Sequence, residues 1–331
     1  MKASIFKKMA DPFQRLFWRA QIGILRACPP LCGIVSRLSL SPANSPRGWI
    51  KMLLRLTAQA PRAVLQHWGN QWHRRVVLSR VSVTLTTRCT LRCDKCIGHI
   101  PDLKIRRDVP IADLIHDMQA LFACVDYIYT VILSGAEALL HPDLHELIRV
   151  CAASKKAGSI CVLTNGTLIP DARTLAALRE TKAIVKISNY GPAVQPNVEK
   201  LKDVLKENGI HYLHESGTSW RDVGAFGQLK GGSAKRRFSV CVQQLCLVTY
   251  YGKLHLCGES ALVMEEGVIP YCQGDYIDLR AITPDEFRLQ WRKLLKKRVI
   301  AACSYCLGNT YQSPKIPVAV QRKSDQGGLP Q

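Results

Sequence analysis

The chain has 331 residues, 47% of them hydrophobic, enough to bury a core of barrel or sheet size beside a smaller unit. Lys and Arg number 46 against 25 Asp and Glu, a formal charge of +21, and no run of about 18 apolar residues exists to span a bilayer. The 14 cysteines demand either disulfides in an oxidising compartment or metal and redox chemistry in a reducing one.

Residues 1–75 hold thirteen Lys or Arg against the single acid Asp11 and so carry most of the excess charge. The opening "MKASIFKKMADPFQRLFWRA" mixes charge into every apolar run and has no small-residue cleavage site, which predicts a reducing, cytoplasmic location. Phe13, Leu16, Phe17, Ala20 and Ile24 recur at helical spacing, with Arg15, Arg19 and Arg26 elsewhere on the wheel. This pattern suits either a helix lying on the inner membrane face or one docked on the main domain. Cys28 and Cys32 flank the helix break at Pro29 and Pro30 and are expected to be packing thiols.

From residue 76 to 225, β-branched runs alternate with amphipathic stretches. "VVLSRVSVTLTT" reads as a strand, "IADLIHDMQALFACV" as a helix, "YIYTVILSG" as a strand, "DLHELIRVCAASKKAG" as a helix and "SICVLTNG" as a third strand. "DARTLAALRET", "AIVKISN", "NVEKLKDVLKENG" and "IHYLHE" continue the alternation. Repeated βα units predict a parallel sheet or barrel with its chemistry on the loops after the strands. Four strands in succession end in "TTRCTLRCDKC", "SGAEALL", "TNG" and "SNYG", polar tips expected on one rim. The rhythm stops after residue 216; residues 226–238 read as a basic, glycine-containing connector, 239–310 as a second, cysteine-rich unit and 311–331 as a disordered tail.

Cys89, Cys93 and Cys96 form C-x3-C-x2-C. Three thiolates this close suit three corners of an iron-sulfur cube, or three positions on a zinc ion. With "SGAEALLHPDL", "LTNGTL" and Ser188 and Asn189 following in order, the chain resembles the radical S-adenosylmethionine (radical SAM) enzymes. That resemblance implies an α/β fold, a partial (β/α)6 barrel of TIM type, whose three cysteines hold a [4Fe-4S] cluster with one iron open to S-adenosylmethionine. It also implies reductive cleavage to a 5′-deoxyadenosyl radical that abstracts hydrogen from substrate. Gly135, Ala136 and Glu137 would meet the cofactor's amino group, and Thr164, Asn165, Ser188 and Asn189 its ribose and carboxylate. Lys95 stands where an aromatic usually packs on the adenine.

In the second unit Cys241, Cys257 within "YYGKLHLC", and Cys303 and Cys306 in "CSYC" offer four thiols, with a glycine turn between two strands. This resembles the twitch domain, a shortened SPASM extension, which implies one auxiliary [4Fe-4S] cluster. Zinc would also suit four thiols. Cys246 and Cys272 are left over: either could replace Cys241, donate hydrogen to a substrate radical, or be a buried bystander. His255 and Glu259 flank Cys257 as candidate acid or base.

The resemblance implies oxidation or epimerisation of a sugar, cyclitol or glycan intermediate, with flavodoxin or ferredoxin as electron donor. A maturase acting on a ribosomally made peptide is the second reading. His214, Glu215, Trp220, Arg221 and Asp222 follow the fifth strand and are candidate substrate contacts. A zinc-stabilised, basic nucleic-acid-binding protein is the alternative of a different class; nucleic acid is not the expected partner.

Overall fold

The computed structural model describes residues 75–214, 219–224, 232–310 and 313–322. The N-terminal segment with Cys28 and Cys32, and the candidate contact Glu215, lie outside the described residues.

Two runs that read as single strands are each broken. "VVLSRVSVTLTT" yields β1 (Val77–Leu78) and β2 (Val81–Thr86), and "YIYTVILSG" yields β3 (Tyr127–Ile128) and β4 (Val131–Gly135). β1 and β3 pair in parallel as a small separate sheet. The breaks face each other, since Tyr129 N donates to Leu78 O at 2.9 Å and Val81 N to Thr130 O at 3.0 Å. β-propensity alone cannot register such a shared turn.

β2, β4, β5 (Ile160–Thr164), β6 (Ile184–Ile187) and β7 (Tyr212–His214) lie side by side and parallel, in chain order. Helices α1 (Ile111–Cys124), α2 (Leu144–Ala153), α3 (Ala172–Thr181) and α4 (Val198–Glu207) alternate with them. Each helix buries an apolar stripe, and α3 also carries a side-chain cap. On α3 the Asp171 carboxylate accepts from Thr174 N at 2.7 Å, and Lys182 ends the helix at φ 56. On α2 Leu144, Leu147, Ile148 and Cys151 are fully buried, each Leu or Ile worth about 1.5–3 kcal/mol. β2 alternates in the same spirit: Val81, Val83 and Leu85 join the core, while Ser82, Thr84 and Thr86 line a cavity inside the barrel.

The C-terminal unit is continuous with this sheet rather than separate from it. β9 (Leu247–Tyr250) runs parallel to β2 on its free side, and β10 (Lys253–His255) and β11 (Tyr276–Asp278) extend the sheet antiparallel, giving eight strands. Five strands thus follow βα order, and the sixth parallel position is filled from β9. Tyr251 and Gly252, at φ 44 and 76, make the two-residue hairpin turn. Arg280 then clasps Asp117 on α1 with two hydrogen bonds, Nε at 2.5 Å and the other nitrogen at 3.0 Å.

Two boundary expectations are corrected. The end of the expected connector, from Ala234, is a helix, α5 (Ala234–Val240), because the Ser233 hydroxyl accepts from Arg236 N at 3.2 Å and Phe238 is buried. The expected disordered tail is ordered through residues 313–322: β12 (Lys315–Ile316) pairs with β8 (Trp220–Arg221), and the following residues cross the Cys93 loop. Main-chain pairing, which leaves no hydrophobic period, holds this segment. Among the described residues, no helix is long and apolar enough to cross a membrane.

Candidate metal centres

Cys89, Cys93 and Cys96 follow β2 on the rim where β4, β5 and β6 also end. Their sulfurs receive N–H groups: Leu91 N reaches Cys89 Sγ at 3.4 Å, Asn165 Nδ2 the same sulfur at 3.5 Å, and Gln321 Nε2 reaches Cys93 Sγ at 3.2 Å. Burial raises the Cys89 thiol above its ordinary value and pushes Cys93 up to about 11; Cys93 also senses Cys96 and Cys89, and Cys89 senses Cys96. A bound cation would therefore displace protons from this set.

The other rim motifs brace one another. Gly135 sits at φ 130, where an added Cβ would lie 2.4 Å from Thr86 O; only glycine allows that approach. Glu137 is fully buried, and its carboxylate accepts from Leu139 N at 3.0 Å and Asn165 N at 2.7 Å. Oε2 thus joins the β4 loop to the β5 loop while Oε1 holds Leu139 in its own loop, and Gly135 and Ala136, expected beside Glu137 at the cofactor's amino group, line the cavity. Asn165 Nδ2 donates to Thr90 Oγ1 at 3.0 Å. Thr164 Oγ1 accepts from Gly166 N, and Asn189 Oδ1 from Gly191 N. Ser188 is buried, its carbonyl taken at 2.6 Å by Gln195 Nε2, which also bonds Asn165 O. Gln195, buried itself, thus locks two rim loops together; as a lone glutamine in "AVQPNVEK" it carries no sequence signal.

The second set gathers around α6 (Gly258–Glu265). Cys257 senses Cys241, Cys303 and Cys306, and burial raises it well above the ordinary thiol value. Burial likewise raises Cys241 and pushes Cys303 and Cys306 up to about 11 and about 12. Ser260 N points at Cys257 Sγ and Gly308 N at Cys306 Sγ, at 3.5 and 3.2 Å.

A cavity of 360 Å³ reaches both regions. Ile97, Gly98, Gly135 and Ala136 wall it beside the first set, and Cys241, Cys257, Cys303 and Cys306 at the second. Between them stand the hydroxyls of Ser82, Thr84, Thr86 and Ser134, with Arg80, Lys186 and Arg237 as cations. Lys186 shares one level of the barrel with Leu163 and Leu213.

The remaining candidates separate cleanly. Cys246 lines the cavity and its sulfur accepts from Arg80, whereas Cys272 lies outside the lining and bonds Pro270 O at 3.4 Å. Glu259 lines the cavity; its Oε2 is 3.1 Å from His99 Nε2, and its Oε1 is buried with no hydrogen-bond partner. His99 was invisible to sequence reasoning. His255 is buried outside the lining, and desolvation lowers its pKa to about 3, so it stays neutral and is no proton donor near pH 7. Trp220 packs edge-on against Tyr190, Arg221 donates to Ser313 O, and Asp222 pairs with Lys95 at 3.4 Å. His214 ends β7 beside Ile187. None of these four lines the cavity.

Residues 83–215 match the family model of the Radical SAM superfamily. This part of the chain is a radical SAM domain. Its sequence is similar to GTP 3′,8-cyclase of Chlorobaculum tepidum, 31% identical over 106 residues that make up 30% of this chain and 29% of that protein. The match therefore spans less than a third of that relative. Among solved structures, BtrN in complex with AdoMet and 2-DOIA is similar at 14% identity and TM-score 0.45, covering 69% of this chain and 92% of that one. A native anSMEcpe with bound AdoMet gives 12% identity and TM-score 0.44, over 63% and 79%. SuiB of Streptococcus suis bound to S-adenosylmethionine gives 19% and 0.36, over 55% and 42%. All three likenesses are distant.

The radical SAM family implies a [4Fe-4S] cluster and S-adenosylmethionine, and the first set fits that cluster: three thiols, with N–H groups on two of the sulfurs. Among the described residues, no three His, Cys, Asp or Glu side chains are closed up around the position of a single ion.

Proposed function

We propose that this chain oxidises a carbinol carbon of a sugar, cyclitol or glycan intermediate. It would use a [4Fe-4S] cluster on Cys89, Cys93 and Cys96 with S-adenosylmethionine, and a second [4Fe-4S] cluster on Cys241, Cys257, Cys303 and Cys306. The observation that carries this reading is the single 360 Å³ cavity bounded by the first rim on one side and by all four thiols of the second set on the other. Its volume falls in the range of small-molecule sites.

When bound, the first cluster and its cofactor supply a 5′-deoxyadenosyl radical. The chain's own residues do the rest. Gly135 and Ala136 present bare backbone to the cavity, and the hydroxyls of Ser82, Thr84, Thr86 and Ser134 suit a polyol. Ile100, Leu103 and Leu262 cluster with Cys89, Cys96 and Ala136 and exclude water from that end. Glu259 Oε1 takes the carbinol proton, with His99 holding the carboxylate in place. Conversion of a carbinol to a ketone removes one hydrogen atom, one proton and one electron; Glu259 would take the proton, and a cluster held by Cys241, Cys257, Cys303 and Cys306 would supply the one-electron acceptor.

A second outcome rests on Cys246, the cavity thiol outside the group of four. Hydrogen donation from its S–H to the substrate radical would invert a stereocentre instead. The net charge of +21 favours an acidic flavodoxin or ferredoxin as electron donor.

The test is turnover of the anaerobically reconstituted enzyme, reduced by dithionite, with sugars and cyclitols deuterated at their carbinol carbons. Deuterium in 5′-deoxyadenosine together with a ketone supports oxidation, and an inverted carbinol supports the second outcome. Iron-loaded protein that forms no 5′-deoxyadenosine would end both.

A further inference from the structure

Residues 319–322, which follow β12, lie against the loop that carries Cys93. Val320 O accepts from Asp94 N at 2.6 Å, and Arg322 N donates to Arg92 O at 2.9 Å, so Gln321 and Cys93 face each other as an antiparallel bridge. The Gln321 carboxamide then reads the cysteine loop at two points. Its Oε1 accepts from Arg92 N at 2.9 Å and its Nε2 donates to Cys93 Sγ at 3.2 Å. The same nitrogen donates to Ala319 O at 2.7 Å, which fixes which end of the amide faces sulfur. Arg322 closes the clasp from the far side, with two bonds to Asp102 at 2.6 and 3.0 Å and an ion pair to Asp94 at 3.6 Å. Ala319, at the turn into the clasp, is fully buried at φ 48; a non-glycine residue is held there only when surrounding contacts enforce it.

We infer that residues 319–322 form part of the housing of the first cluster, and that Gln321 is a positioning residue that tunes it through the N–H bond to the Cys93 sulfur. The inference rests on the reading of Cys89, Cys93 and Cys96 as cluster ligands. A hydrogen bond to a ligating sulfur stabilises the reduced, more negative cluster and raises its potential. The bond here comes from a residue 228 positions away in sequence, so the order of this segment and the ease of reducing the cluster are coupled. Gln321 touches neither substrate nor reacting atoms. Its effect is on how readily the site accepts an electron.

The experiment is a redox titration of the full chain carrying both clusters, following the electron paramagnetic resonance signal that changes when S-adenosylmethionine is added. Gln321→Leu removes the donor, and Gln321→Glu keeps the acceptor for Arg92 N while replacing the N–H by a carboxylate oxygen. At fixed potential, Gln321→Leu is expected to lower the reduced-to-oxidised ratio several-fold and Gln321→Glu about tenfold, the latter ~59 mV for a one-electron couple. Iron content should equal that of the wild type. Both variants titrating as wild type with full iron overturn the inference and leave the cluster reading intact; a wild-type chain that takes up no iron overturns both.

A second measurement needs no cluster. In iron-free protein, alkylation of Cys93 should be slower than that of Cys96, and Arg322→Ala, which opens the clasp, should speed Cys93 several-fold while leaving Cys151 unreactive. Equal Cys93 rates in wild type and Arg322→Ala count against the housing role.

Discussion

His99 Nε2 lies 3.1 Å from Glu259 Oε2 and joins the loop that carries Cys96 to the helix that follows Cys257. Both side chains are buried, at 3% and 9% exposure, and the second carboxylate oxygen has no hydrogen-bond partner. A buried, half-satisfied carboxylate on a cavity wall is costly unless something arrives to use it. Glu259→Gln keeps the shape and an acceptor for His99 but cannot take a proton. Ketone formation should fall about 10²–10⁴-fold while 5′-deoxyadenosine is still released, a split read by mass spectrometry of both products in a single turnover.

Gly135 is predicted to tolerate no side chain. A Cβ there would lie 2.4 Å from Thr86 O and 3.0 Å from Thr86 N, at φ 130. Gly135→Ala should cost more than about 1 kcal/mol of stability, measured by urea unfolding. It should also weaken S-adenosylmethionine binding, because the shifted backbone is part of the cavity wall. Ala136→Gly, one residue on, should leave the unfolding free energy within about 1 kcal/mol of wild type.

Cys241 and Cys246 are five residues apart in sequence but differ in company. Cys257, Cys303 and Cys306 all sense Cys241, whereas the Cys246 sulfur is held by Arg80. Cys241→Ser should lose about four irons per chain and Cys246→Ser none. Equal losses would reassign the fourth ligand. If inversion rather than oxidation is the outcome, Cys246→Ser should abolish it with 5′-deoxyadenosine formation intact.

Arg280 links the end of β11 to α1 through Asp117, which is only 6% exposed at its side chain. Arg280→Met leaves that carboxylate without its two charged donors. A loss of about 1–3 kcal/mol is expected, seen as a lower urea midpoint with an unchanged slope if the C-terminal unit and the barrel unfold together.

What the sequence disclosed follows from which forces leave a local pattern. The parallel strands and their helices were legible because alternation in "VSVTLT" and the stripe of Leu144, Leu147, Ile148 and Cys151 encode burial directly. The spacing of Cys89, Cys93 and Cys96 is local and so visible in the sequence, whereas the proximity of Cys241, Cys257, Cys303 and Cys306 comes from segments far apart in the chain. The clasp at residues 319–322 was not, since its hold is main-chain pairing and one carboxamide, in a stretch whose composition reads as unfolded. The helix Ala234–Val240 was hidden by its basic residues, although Ser233 was a usable cap signal. The bond from Asn165 N to the Glu137 carboxylate was not legible either, because it crosses between two loops that only folding brings together.

The measurement that bears most directly on the account is the metal content of the anaerobically reconstituted full chain, taken with its capacity to cleave S-adenosylmethionine. The account predicts about eight irons and eight sulfides per chain, a brown colour bleached by dithionite, and 5′-deoxyadenosine on adding the cofactor. In a chain with Cys303 and Cys306 both replaced by Ala it predicts about four irons with cleavage retained. Tightly bound zinc, no iron and no 5′-deoxyadenosine would contradict it.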